Sequence, residues 1–157
     1  MTLFSAKDVF EFAVKIEVNG EYFYRETAKS LPDPKVKELF TFLADEELKH
    51  KAIFEKLATR MGSVTLPELN NADYRAYLEA YTENLIFSEA DIKGKIASID
   101  DKNIALLFAI DKELDTVHYY QEIKNFIPES EHGLVDKIIA EERNHVVKLA
   151  EMKRKLA

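Results

Sequence analysis

Cysteine is absent from this sequence of 157 residues. Its absence excludes disulfides, thiolate catalysis, cysteine-ligated iron–sulfur clusters and four-cysteine iron or zinc modules within this chain. A chain without cysteine fits the reducing cytoplasm, and the opening segment MTLFSAKDVFEF shows no signal-peptide pattern. We therefore expect a cytoplasmic protein.

Glycine and proline are scarce, with four of each, so long stretches carry no residue that breaks a helix. The longest apolar run, residues 104–110, is too short to span a membrane. Basic runs are also lacking in a chain whose net charge is −7, so neither nucleic acid nor an anionic membrane is expected as a partner. These features predict one all-α domain over residues 1–157.

Four long helices are predicted from apolar residues that recur every three or four positions. Ser5 and Asp8 resemble a capping box at the start of the first helix, and Pro34 suits the first turn of the second. Gly62 and Pro128 mark the ends of the second and third helices. The predicted ranges are residues 5–30, 34–61, 101–127 and 131 to near the C-terminus.

The segment 63–100 separates the second and third long helices. It contains one predicted shorter helix over residues 73–87 and another over residues 89–96. A helix of about 26 residues is about 39 Å long, and a connection of this length can cross it. The prediction is a four-helix bundle with a long helical crossover, in which the second and third long helices run in the same direction.

The chain also contains an internal repeat. AVKIEVNGEYFY, residues 13–24, aligns without gaps with AIDKELDTVHYY, residues 109–120, and DEELKH, residues 45–50, aligns with AEERNH, residues 140–145. The bundle is therefore predicted to consist of two copies of one helical hairpin.

Each inward stripe of the bundle carries a glutamate, and two stripes also carry a histidine one turn later. Antiparallel helices that leave a turn together bring residues at equal distance from it to one height. Buried carboxylates need compensation, and no stripe contains Lys or Arg, so two divalent cations such as Fe, Mn or Zn are predicted. The candidate ligands are Glu17, Glu47, His50, Glu113, Glu142 and His145.

Within this set Glu47 and Glu142 are predicted to bridge the two metals, because each lies beside its own histidine ligand. Tyr24 and Tyr120 each follow a ligand glutamate by seven residues on the inward stripe. Their hydroxyls either donate to ligand carboxylates or belong to a plain aromatic core.

Other acidic and histidine residues are interpreted as structural. The third Glu-x-x-His sequence, residues 129–132, lies at a turn and has no counterpart in the first repeat, and His118 is off the face of Glu113. Glu21, Glu46 and Glu141 fall outside the stripes and are expected on solvated faces.

The runs IEVNGEYFYRETAK and PDPKVKELFTFLADEELKHKAIFEKL, with the second Glu-then-Tyr pattern and EERNH, resemble the rubrerythrin branch of the ferritin-like superfamily. The resemblance implies a ferritin-like four-helix bundle with two iron ions, which reduces hydrogen peroxide. By this resemblance the six residues above are the ligands, and Tyr24 and Tyr120 match tyrosines that hydrogen-bond the site.

Two departures from that family pattern affect the expected activity. Full-length rubrerythrins carry a four-cysteine rubredoxin module, so this chain would need an external electron donor such as a separate rubredoxin. They also place an extra glutamate one turn after the third-helix ligand, where this chain has Thr116. Its loss would weaken peroxidase activity and makes the ligand set closer to ferritin-type centres.

Three functions follow from these patterns. The first is an oxidoreductase that reduces hydrogen peroxide or oxygen with electrons from an external donor. The second is a ferroxidase or iron-binding protein of ferritin type, and the third is a bundle with a redox-inert metal. The aromatic-rich crossover, residues 74–87, additionally predicts a homodimer.

Overall fold

The computed structural model of the protein describes residues 5–62, 71–85, 89–99 and 101–156. These residues form an all-α bundle, as predicted. The helices are α1 (Ala6–Ser30), α2 (Pro34–Met61), α3 (Ala72–Leu85), α4 (Glu89–Ala97), α5 (Lys102–Ile123) and α6 (Glu129–Leu156), with a 3₁₀ turn at Lys124–Phe126.

The helix ends follow local sequence signals. Ser5 and Asp8 form the predicted capping box at the start of α1. Asp33 caps α2 by accepting from the backbone N–H of Lys35, and Pro34 occupies the first turn. The helix α2 ends at Gly62, whose positive φ of 55° suits glycine.

The third long helix is shorter than predicted. It ends at Ile123 instead of residue 127, and the 3₁₀ turn follows. Pro128 disfavours helical backbone at Ile127, whose backbone is extended. The 3₁₀ turn, which is wound more tightly than an α-helix, precedes Ile127. Of the predicted crossover helix 73–87, residues 86–88 lie outside the described part of the chain.

The two hairpins pack α1 against α2 and α5 against α6. Their apolar side chains form two buried clusters. The first includes Phe10, Phe54, Tyr120 and Ile138, with Leu78 of α3, and the second includes Phe23, Phe40, Leu106 and Leu149, with Ile92 of α4.

The glutamate and histidine residues of the inward stripes lie where the two clusters meet. On α1, for example, the first cluster ends at Ile16 and the second begins at Phe23, on either side of Glu17. Apolar side chains therefore surround the centre of the bundle above and below. Among the described residues, no helix combines the length and apolar character needed to cross a bilayer.

Candidate metal centre

All six predicted ligand residues meet in the interior. Each of their side chains is at least 96% buried, although all six are polar or charged. Two come from the middle of α2, two from α6, and one each from α1 and α5. The set comprises Glu17, Glu47, His50, Glu113, Glu142 and His145.

These residues form two overlapping groups of four. Glu17 and His50 complete one group and Glu113 and His145 the other, while Glu47 and Glu142 belong to both. In each group the potential ligand atoms lie within 4.8 Å of one another. The shared pair is the one that the sequence predicts to bridge two metals.

Glu142 lies between the two imidazole rings. Its Oε1 is 2.9 Å from Nδ1 of His50, and its Oε2 is 2.9 Å from Nδ1 of His145. The two rings are nearly parallel, with centroids 5.7 Å apart. Both histidines therefore direct the same nitrogen, Nδ1, towards the centre.

The opposite nitrogen of His50 contacts a residue that sequence reasoning assigned to a solvated face. Nε2 of His50 is 2.8 Å from Oε2 of Glu141, a half-buried carboxylate next to Glu142. A carboxylate there fixes the ring so that Nδ1 faces the centre. The internal repeat could have indicated this contact, because it aligns Glu141 with Glu46 and each directly precedes a ligand glutamate.

The two tyrosines connect the hairpins across the centre. The hydroxyl of Tyr24 in α1 donates to Oε1 of Glu113 in α5 at 2.5 Å. The hydroxyl of Tyr120 in α5 donates in turn to Oε1 of Glu17 in α1. Each tyrosine therefore contacts the glutamate of the other repeat, and neither is plain aromatic core.

Burial shifts the protonation of the cluster. It raises the pKa of Glu17 and Glu113 well above their usual range, and neighbouring carboxylates raise it further. Burial and Glu142 raise the pKa of Glu47 as well.

Glu142 and His50 are shifted towards their charged forms, against the effect of burial. Burial opposes ionisation of Glu142, but the close contacts of its two oxygens with His145 and His50 outweigh this effect and lower its pKa. Burial likewise opposes protonation of His50, yet its hydrogen bond to Glu142 raises its pKa to about 9. Four carboxylates cannot all ionise here without added positive charge.

Several polar atoms of the cluster have no hydrogen-bond partner. They are Oε2 of Glu17, Oε1 of Glu47, Oε2 of Glu142 and Nδ1 of His145, all fully buried. The last two atoms lie 2.9 Å apart as an ion pair, but their alignment does not make a hydrogen bond. Buried polar groups are seldom left unsatisfied, and all four atoms belong to residues of the two ligand groups. Carboxylate oxygens and imidazole nitrogens in this number fit two first-row divalent metals.

Small residues make room for the cluster at the positions one turn after Glu17 and Glu113. A Cβ atom at Gly20 would lie 2.7 Å from Oε2 of Glu47. At the equivalent position of α5, the Oγ1 of Thr116 donates to the backbone carbonyl of Lys112. Neither position supplies a further carboxylate.

The remaining candidates lie outside the two groups of four ligands. The ring of His118 is tilted against that of Tyr81, with centroids 5.5 Å apart, and His132 contacts the carbonyl of Ile127 through Nε2. Glu21 forms an ion pair with Arg25. Glu46 pairs with Lys49, although its carboxylate also lies near His50 and Glu141.

Comparisons with known proteins agree with this geometry. The family model for Rubrerythrin matches residues 8–153. A crystal structure of a Thermotoga maritima protein assigned to the ferritin-like di-iron-carboxylate class has a TM-score of 0.75 and 25% identity, covering 100% of this chain and 99% of that one. A hypothetical protein from Pyrococcus furiosus has a TM-score of 0.67 and 21% identity, covering 96% and 89%. No curated protein gave a match.

The fold and the buried cluster together define a ferritin-like bundle of the di-iron-carboxylate class. Because the family model covers nearly the whole sequence, the chain belongs to the rubrerythrin family.

Proposed function

We propose that this chain is a di-iron oxidoreductase of rubrerythrin type, which reduces hydrogen peroxide, or oxygen, with electrons from an external donor. The observation that carries the proposal is the buried cluster, in which two groups of four ligands share Glu47 and Glu142. Glu17 and His50 would complete one iron site, and Glu113 and His145 the other.

Two ferrous ions held by these residues would supply the two electrons that cleavage of an O–O bond requires. Reduction of one hydrogen peroxide consumes two electrons and two protons and releases two waters. Manganese or zinc would fit the same donor atoms, but zinc supplies no electrons.

The protein residues hold the donors in place and bury them almost completely. The hydroxyls of Tyr24 and Tyr120 each donate to one terminal carboxylate, which fixes its orientation. The carboxylate of Glu141 holds the His50 ring from the other side. Apolar side chains cover the cluster above and below.

The proposed electron donor is a second protein, since this sequence has no cysteine to hold a rubredoxin-type iron. A separate rubredoxin or a reductase would serve. A cytoplasmic location, where such donors are found, stays a prediction.

The test is anaerobic loading with ferrous iron, followed by stopped-flow mixing with hydrogen peroxide or oxygen at equal concentration. We expect faster oxidation by peroxide, and repeated turnover only when a donor protein is added. Faster oxidation by oxygen would favour the ferroxidase function, and no reaction with either oxidant would contradict both.

One observation favours the ferroxidase function as a second candidate. Thr116 replaces the additional glutamate of the family pattern, and its hydroxyl donates to a backbone carbonyl instead of facing the centre as a charge. We therefore expect the preference for peroxide to be smaller than in the family's peroxidases.

A homodimer is the proposed assembly. Ile104, Leu107 and Leu114 lie on one outward face of α5, and each is 46–51% exposed. Burial of such a stripe against a second copy would be favourable. A monomer mass in light scattering would contradict this proposal.

A further inference from the structure

A cavity of about 620 Å³ opens beside the candidate metal centre. Its walls come from α1, α2, α5 and the two crossover helices α3 and α4. Glu47 and Glu113 belong to its lining, as do the small residues Gly20 and Thr116. The cavity therefore reaches the ligands at the point where the helices carry no bulky side chain.

The volume far exceeds what the proposed oxidants need. Hydrogen peroxide and oxygen have two heavy atoms each, and one water occupies about 30 Å³ in the liquid. Pockets of about 300–1,000 Å³ are typical of sites for small organic molecules. The cavity has the size of a site for an organic molecule.

The lining shows which chemistry would be favoured. Ile16, Phe23, Ile92, Phe108 and Ala109 supply apolar surface from three helices. The charged residues of the lining other than the ligands are balanced, with two acidic and two basic side chains, Glu83, Asp91, Lys95 and Lys112. Because these charges balance, the lining favours a ligand without net charge. The apolar walls favour a molecule of low polarity.

We propose that this cavity binds a neutral, largely apolar organic molecule of about ten to twenty non-hydrogen atoms next to the metal centre. The inference takes from the proposed function only the presence of metals on the neighbouring ligands. Peroxide or oxygen would remain the oxidant of the proposed function, and the inference concerns only binding of the organic molecule.

Gly94 of α4 allows the cavity to be filled without touching the ligands. It lines the cavity together with Asp91, one turn earlier in α4, and Ser98, in the turn that follows the helix. A Cβ atom at Gly94 would meet no atom within 4 Å. Gly133 of α6 has equally free space around its Cβ position but is not part of the lining. Both glycines are helical, so substitution at either position should favour the helix.

The experiment titrates the metal-loaded protein with N-phenyl-1-naphthylamine, a neutral apolar fluorophore. We expect saturable binding of one probe per chain. Affinity should fall progressively from Gly94→Ala through Gly94→Leu to Gly94→Phe, with a loss of about tenfold or more for Phe, while Gly133→Phe binds as the parent does. Thermal melting of each variant confirms that it is folded.

The outcomes separate this inference from the proposed function. Absence of saturable binding, or equal affinity in the Gly94→Phe and Gly133→Phe variants, overturns the inference even if peroxide oxidises the diferrous protein rapidly. Binding that the Gly94 series weakens supports it even if neither oxidant reacts, in which case only the proposed function fails.

Discussion

Gly20 is a residue at which the candidate metal centre limits side-chain size. It follows Glu17 by one turn of α1, and a Cβ atom there would approach Oε2 of Glu47 to 2.7 Å. Because this oxygen belongs to the shared carboxylate, displacing it would disturb both metal positions. A glycine in a helix interior nevertheless destabilises the helix by about 1 kcal/mol relative to alanine. Glycine at this position therefore leaves room for the metal ligand Glu47 at the expense of helix stability.

We expect Gly20→Ala to separate stability from metal binding. The metal-free variant should be more stable to unfolding by up to about 1 kcal/mol, while its metal affinity falls by about tenfold or more. Urea unfolding and metal titration would measure the two effects. The matched variant Gly133→Ala should gain similar stability and keep its affinity, since its Cβ position is free.

Glu141 offers a second test at the level of one residue. Its carboxylate lies 2.8 Å from Nε2 of His50 and fixes the ring from outside the ligand set. Replacement of such partners weakens metal affinity by about 10–100-fold. We expect Glu141→Gln to fall in this range in a competition titration against a chelator. An unchanged affinity, equal to that of the exposed control Glu55→Gln, would show that the contact does not orient the ring.

At the level of helices, the crosswise tyrosine contacts join the two hairpins. Hydrogen bonds to charged groups contribute about 1.5–3 kcal/mol, and removing the hydroxyl leaves a buried carboxylate oxygen without its donor. Tyr24→Phe and Tyr120→Phe should each lower the unfolding free energy of the loaded protein by about this amount. Chemical denaturation would measure it, with Tyr77→Phe as the control, because Tyr77 is 44% exposed. Losses as small as in the control would contradict a structural role for the two hydroxyls.

The convergence of the six side chains could be predicted because the hairpins are repeated. Glu17 and Glu47 lie at similar distances from the first turn, and Glu113 and Glu142 flank the second in the same way. Helical spacing alone, however, assigns each residue to one face of its helix. Glu141 is next to the stripe, and its long side chain reaches around the helix edge to His50, which spacing cannot show.

The end of α5 and the cavity were harder to predict for a different reason. Proline showed that the helix must stop before residue 128, but the tightening into a 3₁₀ turn at Lys124–Phe126 depends on local packing. The crossover helices were predicted as helices, whereas their position against α1 and α5 depends on contacts between distant residues. The cavity arises from that position and has no signature in the sequence.

For the whole molecule, metal removal should change how stability depends on pH. The pKa of His50 is raised to about 9 in the metal-free fold. A raised pKa contributes stability that is complete below the usual value of about 6.5 and is lost as the pH rises through about 9. Glu17 and Glu113, with pKa values also raised, act with the same sign. Glu142, whose pKa is lowered, loses its contribution only in acid.

The metal-free protein should therefore melt at progressively lower temperature between about pH 6.5 and pH 9. Metal ions compete with protons for the same oxygens and nitrogens, so their affinity should rise over this range. The melting temperatures of manganese-loaded and chelator-treated protein should consequently diverge as the pH increases. Differential scanning calorimetry at several pH values would measure the difference. Because Glu142 belongs to both groups of ligands, Glu142→Ala should abolish it, and a difference that persists in this variant would contradict the ligand assignment.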